Sequence, residues 1–356
     1  MSGSTLAGRA LEGVRNNRWW WGRLLVLPVH LLVFVVITFV LIRLMPSDPV
    51  RSMLGQNYTK EGYDKLQAKL GLDGSLPSQL WRYLADLAHF DLGDSLFTGR
   101  AVLTELSTRL PSTVELACLG MAASVILSLT ASYLAAMWPT SVPGRVIRGY
   151  AAAAGAVPEY VLAVAGILIF YSLLHLVPAP LGRLTTGVPT PPAITNFPLL
   201  DALLNGDLVA LSDELAHLLL PVAVMAVAHS ALLVRLLVAG LDEAIDAAPT
   251  KFRIATGASH RAVLASVYRR AAPAAITMCG VVFGYQLGGA VILETLFGFS
   301  GIGSYAVDAV NSGDFVALQG FLLVVATLSL VVFLAVDLLN MLVDPRRRPG
   351  VATEGT

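Results

Sequence analysis

Six apolar stretches, each close to the length needed to cross a bilayer, constrain this chain more than anything else in its sequence. A helix rising 1.5 Å per residue needs about 20 apolar residues to cross a hydrocarbon core of ~30 Å. Windows of this kind fall at residues 24–42, 116–138, 160–182, 215–234, 271–293 and 315–336. A backbone amide left unpaired in lipid costs several kcal/mol, so each window reads as a helix. Composition agrees: 56% of the residues are hydrophobic and only 13% are charged, where soluble domains carry ~25%. Glu159 and prolines crowd the ends of the third window. The expected architecture is all-α, a polytopic membrane protein with six transmembrane helices.

Lys and Arg in short loops set the orientation of such a bundle. The tail 1–23 carries Arg9, Arg15, Arg18 and Arg23; the second connection carries Arg145 and Arg148; the tail 344–356 carries Arg346, Arg347 and Arg348. The fourth connection, 241–270, is the richest, with Lys251, Arg253, Arg261, Arg269 and Arg270. The opposite side has Arg183 in the third connection and no basic residue in the fifth. The first connection, 43–115, is also basic, but loops beyond ~60 residues translocate regardless of charge. Both termini are therefore expected in the cytoplasm. Arg18-Trp19-Trp20-Trp21-Gly22-Arg23 fits an interfacial anchor, and no small-residue cleavage site follows the first window, so that window reads as a retained span. In the first connection, 59–72 and 78–88 have helical patterning. They suggest a small polar cap, which serves either as a docking surface or only to close the bundle.

The segment 241–270 looks built to be met from the cytoplasm. Gly257 breaks or caps one short helix, and Ser259 starts another. The basic residues hold the segment at the membrane surface, while Phe252, Ile254, Val263 and Leu264 could fill an apolar groove on a partner. The plain alternative is a solvated basic loop.

Residues for catalysis are missing from the pattern. The four lysines, Lys60, Lys65, Lys69 and Lys251, lie outside any G-x-x-x-x-G-K-[ST] motif, so ATP energy has to come from another chain. Gly298-Phe299-Ser300-Gly301-Ile302-Gly303 reads as a turn. Cys118 and Cys279 fall in spans without metal-ligand spacing, and no cofactor or nucleic acid is implied. His229 lies mid-span, twelve residues from His217 and therefore more than three turns away, so the two share no metal. It reads either as a helix–helix hydrogen bond or as a functional group. Glu159 and Glu294 sit near the ends of their windows, where a carboxylate is tolerated. Gly280, Gly284 and Gly288 leave one face of the fifth helix bare for close helix approach. Tyr285 and Gln286, with Gly289 and Glu294 beside them, either line a transient aqueous pathway or pack within the chain.

Several of these stretches resemble one family. Ala255-Thr256-Gly257 before a basic helix, Leu287-Gly288-Gly289-Ala290-Val291-Ile292-Leu293-Glu294-Thr295-Leu296-Phe297, Gly301-Ile302-Gly303 and Asp337 through Arg346 are similar to the B-type permeases of dipeptide, oligopeptide and nickel ABC importers. Asp91-Leu92-Gly93-Asp94-Ser95, Arg109-Leu110-Pro111-Ser112-Thr113 and Val157-Pro158 add to the match, which runs from about residue 24 to 347. The resemblance implies the type I ABC importer permease fold in a bacterial inner membrane. It also implies a non-catalytic subunit that pairs with a second permease, two ATP-binding subunits or one fused ATPase, and an extracytoplasmic binding protein. It places the coupling helix in 241–270, with Phe252, Arg253, Ile254, Ala255, Gly257, Ser259, Arg261, Val263 and Leu264 toward the ATPase.

Ala255 and Gly257 match the family's E-A-A-type signature, but Lys251, Phe252 and Arg253 stand where its acidic residue and alanines belong. Glu243-Ala244 has the motif's letters too far from Gly257. The implied mechanism is alternating access, in which ATP closes the ATPases and the docked loops tilt the spans. A secondary carrier or channel is the rival, but it would show repeats and charged midplane residues that are not evident here.

Overall fold

The computed structural model describes residues 27–44, 49–54, 58–69, 73–153 and 155–343, so the Arg/Trp cluster of 1–23 and the arginines of 344–356 lie outside the described residues. The chain forms α1 (Leu27–Arg43), then a cap of α2 (Pro49–Leu54), α3 (Lys60–Lys69) and α4 (Leu76–Ala88). There follow α5 (Val102–Met137), α6 (Val142–Ala152), α7 (Glu159–Gly166) with a π-helical extension (Ile167–Leu173), α8 (Pro198–Leu204) and α9 (Leu208–Asp246). The last are α10 (Ala248–Ala255), α11 (His260–Phe297), α12 (Ile302–Ser312) and α13 (Phe315–Val343). Among the described residues the sole β pairing is an isolated bridge between Asp94 and Ala101. By length and composition α5, α9, α11 and α13 can cross a bilayer, and α1 and α7 with its extension are shorter apolar helices.

The long helices overrun the hydropathy windows. α5 begins at Val102 rather than at residue 116, because its outer turns, though polar, hold themselves as helix. There Glu105 pairs with Arg109 one turn on, at 3.1 Å, and Pro111 sits inside the helix. α9 extends to Asp246 and α11 opens at His260, so most of 241–270 is helix and the true connection is short. The N-cap of α11 is Ser259, whose hydroxyl accepts from the Ala262 amide.

α9 is the central post. Half of its apolar window is buried against other helices, whereas none of the window in α13 is. Ser124, Ser128 and Ser132, spaced four apart on α5, are buried with Ser230 of α9; the Ser128 hydroxyl reaches Ser230 O at 3.3 Å. Small polar side chains let two helices approach where lipid gives no hydrophobic drive.

The third window needs correction. Helix ends at Leu173 instead of continuing to residue 182, and an additional helix, α6, precedes it. Tyr150, near the end of α6, donates to Val227 O of α9 at 2.6 Å. After a break containing Gly155 (φ +78) and Pro158, α7 resumes with Glu159 beside His229, two residues further along α9. α6 and α7 are therefore two pieces of one interrupted helical path along α9. Arg148 fastens the inner half to α9 through a two-pronged pair with Asp242, at 2.8 and 3.0 Å.

Candidate coupling and pathway site

At the inner end, α10 is a short amphipathic step between two long helices. Thr250 anchors it: its hydroxyl, 1% exposed as a residue, donates to Ala244 O at 2.7 Å and accepts from Arg270 at 3.2 Å, tying α9, α10 and α11 together. The step ends at Gly257, whose φ of +77° is a left-handed conformation that glycine adopts freely, and open space surrounds its α-carbon. Phe252 (68% exposed) and Ile254 (59%) stand out from α10, and Arg253, Ala255 and Arg261 are exposed beside them. Val263 and Leu264 behave differently: both are half-buried and line an apolar groove of about 470 Å³ shared with Tyr133, Leu241 and Val267. Of the four apolar side chains singled out in this segment, Phe252 projects, Val263 and Leu264 face a groove of the chain itself, and Ile254 is exposed at the edge of that groove.

In α11 the glycine stripe has three different environments. A Cβ at Gly280 would lie 3.2 Å from Phe333 and one at Gly284 4.0 Å from it, so both receive α13. Gly288 has open space, with Tyr285 62% exposed on the same side. Gly289 makes the closest approach, since a methyl group there would overlap the Glu159 carboxylate. Gln286 is fully buried, and its amide donates to Ser124 Oγ at 3.1 Å, so in this state it packs within the chain.

Glu294 is an anchor in the protein interior, 1% exposed, and not an interfacial carboxylate. It accepts from the Thr113 hydroxyl and from the amides of Gly303 and Ser304 at 2.7 and 3.1 Å, capping α12 and binding it to α5 and α11. Arg183, in sequence merely a basic residue in an outer loop, is the hub of a buried network. Its Nη1 meets Glu115 at 2.6 Å and Glu214 at 2.9 Å, Nη2 donates to Ser112 O at 2.7 Å, and the guanidinium lies 4.9 Å from the centre of the Phe299 ring. No spacing in the sequence joins Glu115, Arg183 and Glu214; only the fold does. Nearby, burial raises the Asp201 carboxyl, but the hydroxyl and amide of Thr195 and the amides of Ile194 and Asn196 outweigh it and hold it below the usual aspartate value. Among the described residues no group of His, Cys, Asp and Glu is placed to hold a metal.

The sequence matches known proteins over most of its length. Residues 128–349 fit the family model "Binding-protein-dependent transport system inner membrane component", and residues 18–117 fit the model of its membrane component N-terminal region. A probable D,D-dipeptide transport system permease, DdpB of Escherichia coli (strain K12), is 34% identical over 92% of this chain and 95% of its own length. The di/tripeptide permease DppB of Pseudomonas aeruginosa (strain UCBPP-PA14) is 32% identical over 88% and 93%. The dipeptide permease DppB of Haemophilus influenzae (strain ATCC 51907 / DSM 11121 / KW20 / Rd) is 32% identical over 91% and 97%.

Proposed function

Since this chain belongs to the binding-protein-dependent transport system inner membrane component family, whose members are multi-pass permeases of ABC transporters, we propose that it forms half of an ATP-driven import pathway for peptides. A second permease supplies the other half, a separate ATPase docks on α10, and an extracytoplasmic binding protein delivers the solute. Both termini lie in the cytoplasm, as the basic residues of the connections require. The chain itself makes and breaks no bonds.

The observation that carries this reading is α10 itself: Phe252 and Ile254 exposed, Lys251 and Arg253 on either side of Phe252, and Thr250 locking it to the ends of two long helices. Exposed aromatic and aliphatic anchors on a short helix suit a groove in a partner. The tie through Thr250 and Arg270 passes any movement of α10 directly into α9 and α11. Peptide as the solute rests on the similar permeases.

Gly257→Asp tests the coupling. An added side chain meets nothing within 4 Å inside the chain and the left-handed φ of +77° adds strain of about 1–2 kcal/mol, so insertion and assembly should survive while the conformation and exposed surface of the step change. Uptake in reconstituted vesicles is expected to fall by about tenfold or more, roughly 1.4 kcal/mol of lost coupling, with ATP hydrolysis continuing. Wild-type uptake by this variant would remove the role assigned to α10.

A further inference from the structure

The break between α6 and α7 leaves a carboxylate beside the middle of the long apolar helix α9. Glu159 opens α7, and its Oε2 lies 3.3 Å from His229 Nε2 of α9, with both side chains 14% exposed. Along α9, His229 is roughly 18 Å below His217. On its other side the carboxylate rests against the bare backbone of Gly289 in α11. Three spans thus converge on one charged group. An ionisable residue at such depth is costly to keep unless it has work to do.

Its partners set Glu159 apart from the other buried carboxylates. Glu105 is matched by Arg100 and Arg109, Glu115 and Glu214 by Arg183, and Glu294 by a hydroxyl and two amides. Among the described residues Glu159 Oε1 is the one buried carboxylate oxygen with no hydrogen-bond partner. A second orphaned acceptor lies on α11: Gln286 Oε1, on a fully buried residue one turn before Gly289. Both of these unmatched atoms are acceptors, and Glu159 Oε1 in particular is left wanting a donor. The chain also opens next to the pair, because Gly288 has free space beside it and Tyr285 and Ile292 on the same side of α11 are exposed.

We propose that Glu159 is the pathway's contact for a cationic group of the transported solute, which for a peptide is its α-ammonium, with His229 holding the carboxylate in place between transport cycles. The ligand named here rests on the peptide reading above. An ammonium brings three N–H donors and a positive charge, which answers both the orphaned oxygens and the desolvated carboxylate. A carboxylate at a helix break can follow the solute as the half-helix moves, a use of discontinuous spans that a continuous helix does not offer.

The test uses the whole transporter in proteoliposomes with radiolabelled alanyl-alanine. Glu159→Gln keeps shape and loses charge, and is expected to lower uptake by about tenfold or more, whereas Glu159→Asp and His229→Gln stay within about threefold of wild type. Wild-type uptake by Glu159→Gln overturns the proposal. Equal losses in Glu159→Gln and His229→Gln overturn it too, because the pair would then only tie helices together. Should Glu159→Gln fail to assemble, the wild type decides: a lipid-soluble carbodiimide should label Glu159, and alanyl-alanine delivered by the binding protein should slow that labelling. Labelling unaffected by the peptide counts against the proposal. If the wild type takes up no alanyl-alanine at all, the peptide reading falls instead, and the assigned ligand with it.

Discussion

Single residues in this protein carry more than their local chemistry suggests, and Asp201 gives the most direct pH test. Its carboxylate accepts from the Thr195 amide and hydroxyl, both at 2.7 Å, and pins the outer segment before α8. Because the folded carboxyl titrates below its unfolded value, this stabilisation is complete above an ordinary aspartate pKa of ~3.9 and is lost as pH falls through the lower folded value. Protection of the Thr195 and Asn196 amides, taken as exchange relative to the intrinsic rate at each pH, should therefore hold from neutral pH down to about 4 and fall only below it. In Asp201→Asn the amides should exchange faster at every pH, and an unchanged rate would show that the carboxylate holds nothing. At this scale the sequence was only partly legible. Gly257 and Ser259 announced their capping roles through chain-local rules, and the structure has both. Arg183, Glu115 and Glu214 come from three separate segments, so no window could join them. Glu294 looked interfacial because hydropathy measures a side chain's own polarity and cannot see the α12 amides folded over it.

The elements show where periodicity succeeds and where it stops. Long apolar runs identified the cores of α5, α9, α11 and α13 because lipid demands them. Their polar ends were missed, since outside the apolar layer a helix can be held by caps, ion pairs and neighbours instead of hydropathy. The broken third span was harder still. Neither α6 nor α7 alone is long enough to cross, and Gly155 and Pro158 signal a break without saying that the two halves continue one path. α12 illustrates an element fixed by one close approach. A side chain at Gly303 would run into the Val291 backbone, which cannot step aside. Gly303→Val is expected to destabilise the purified protein by about 1–3 kcal/mol, read as a lower thermal midpoint in detergent. A midpoint equal to wild type would mean that α12 is not seated as described.

At the scale of the whole molecule, the arrangement is a bundle locked by polar networks at one end and presenting α10 at the other. Arg183, Glu294 and Asp314 fasten loops and short helices to α5 and α11 on one side. On the other, α10 stands free with its apolar side chains in the open. On the function proposed above, the energy for a cycle comes from a separate ATPase chain that meets α10. The rival, a carrier working alone, would need its driving charges within the bundle; the pairs around Arg183 and Glu105 are bound into fixed networks, which leaves Glu159–His229 as the one pair it could use and makes a direct test necessary. The direct test is uptake of labelled alanyl-alanine into proteoliposomes holding either this chain alone or this chain with its permease, ATPase and binding-protein partners. Accumulation only in the complete assembly, and only when ATP is hydrolysed, is the expected result. Saturable uptake by the chain alone, without ATP, would contradict it.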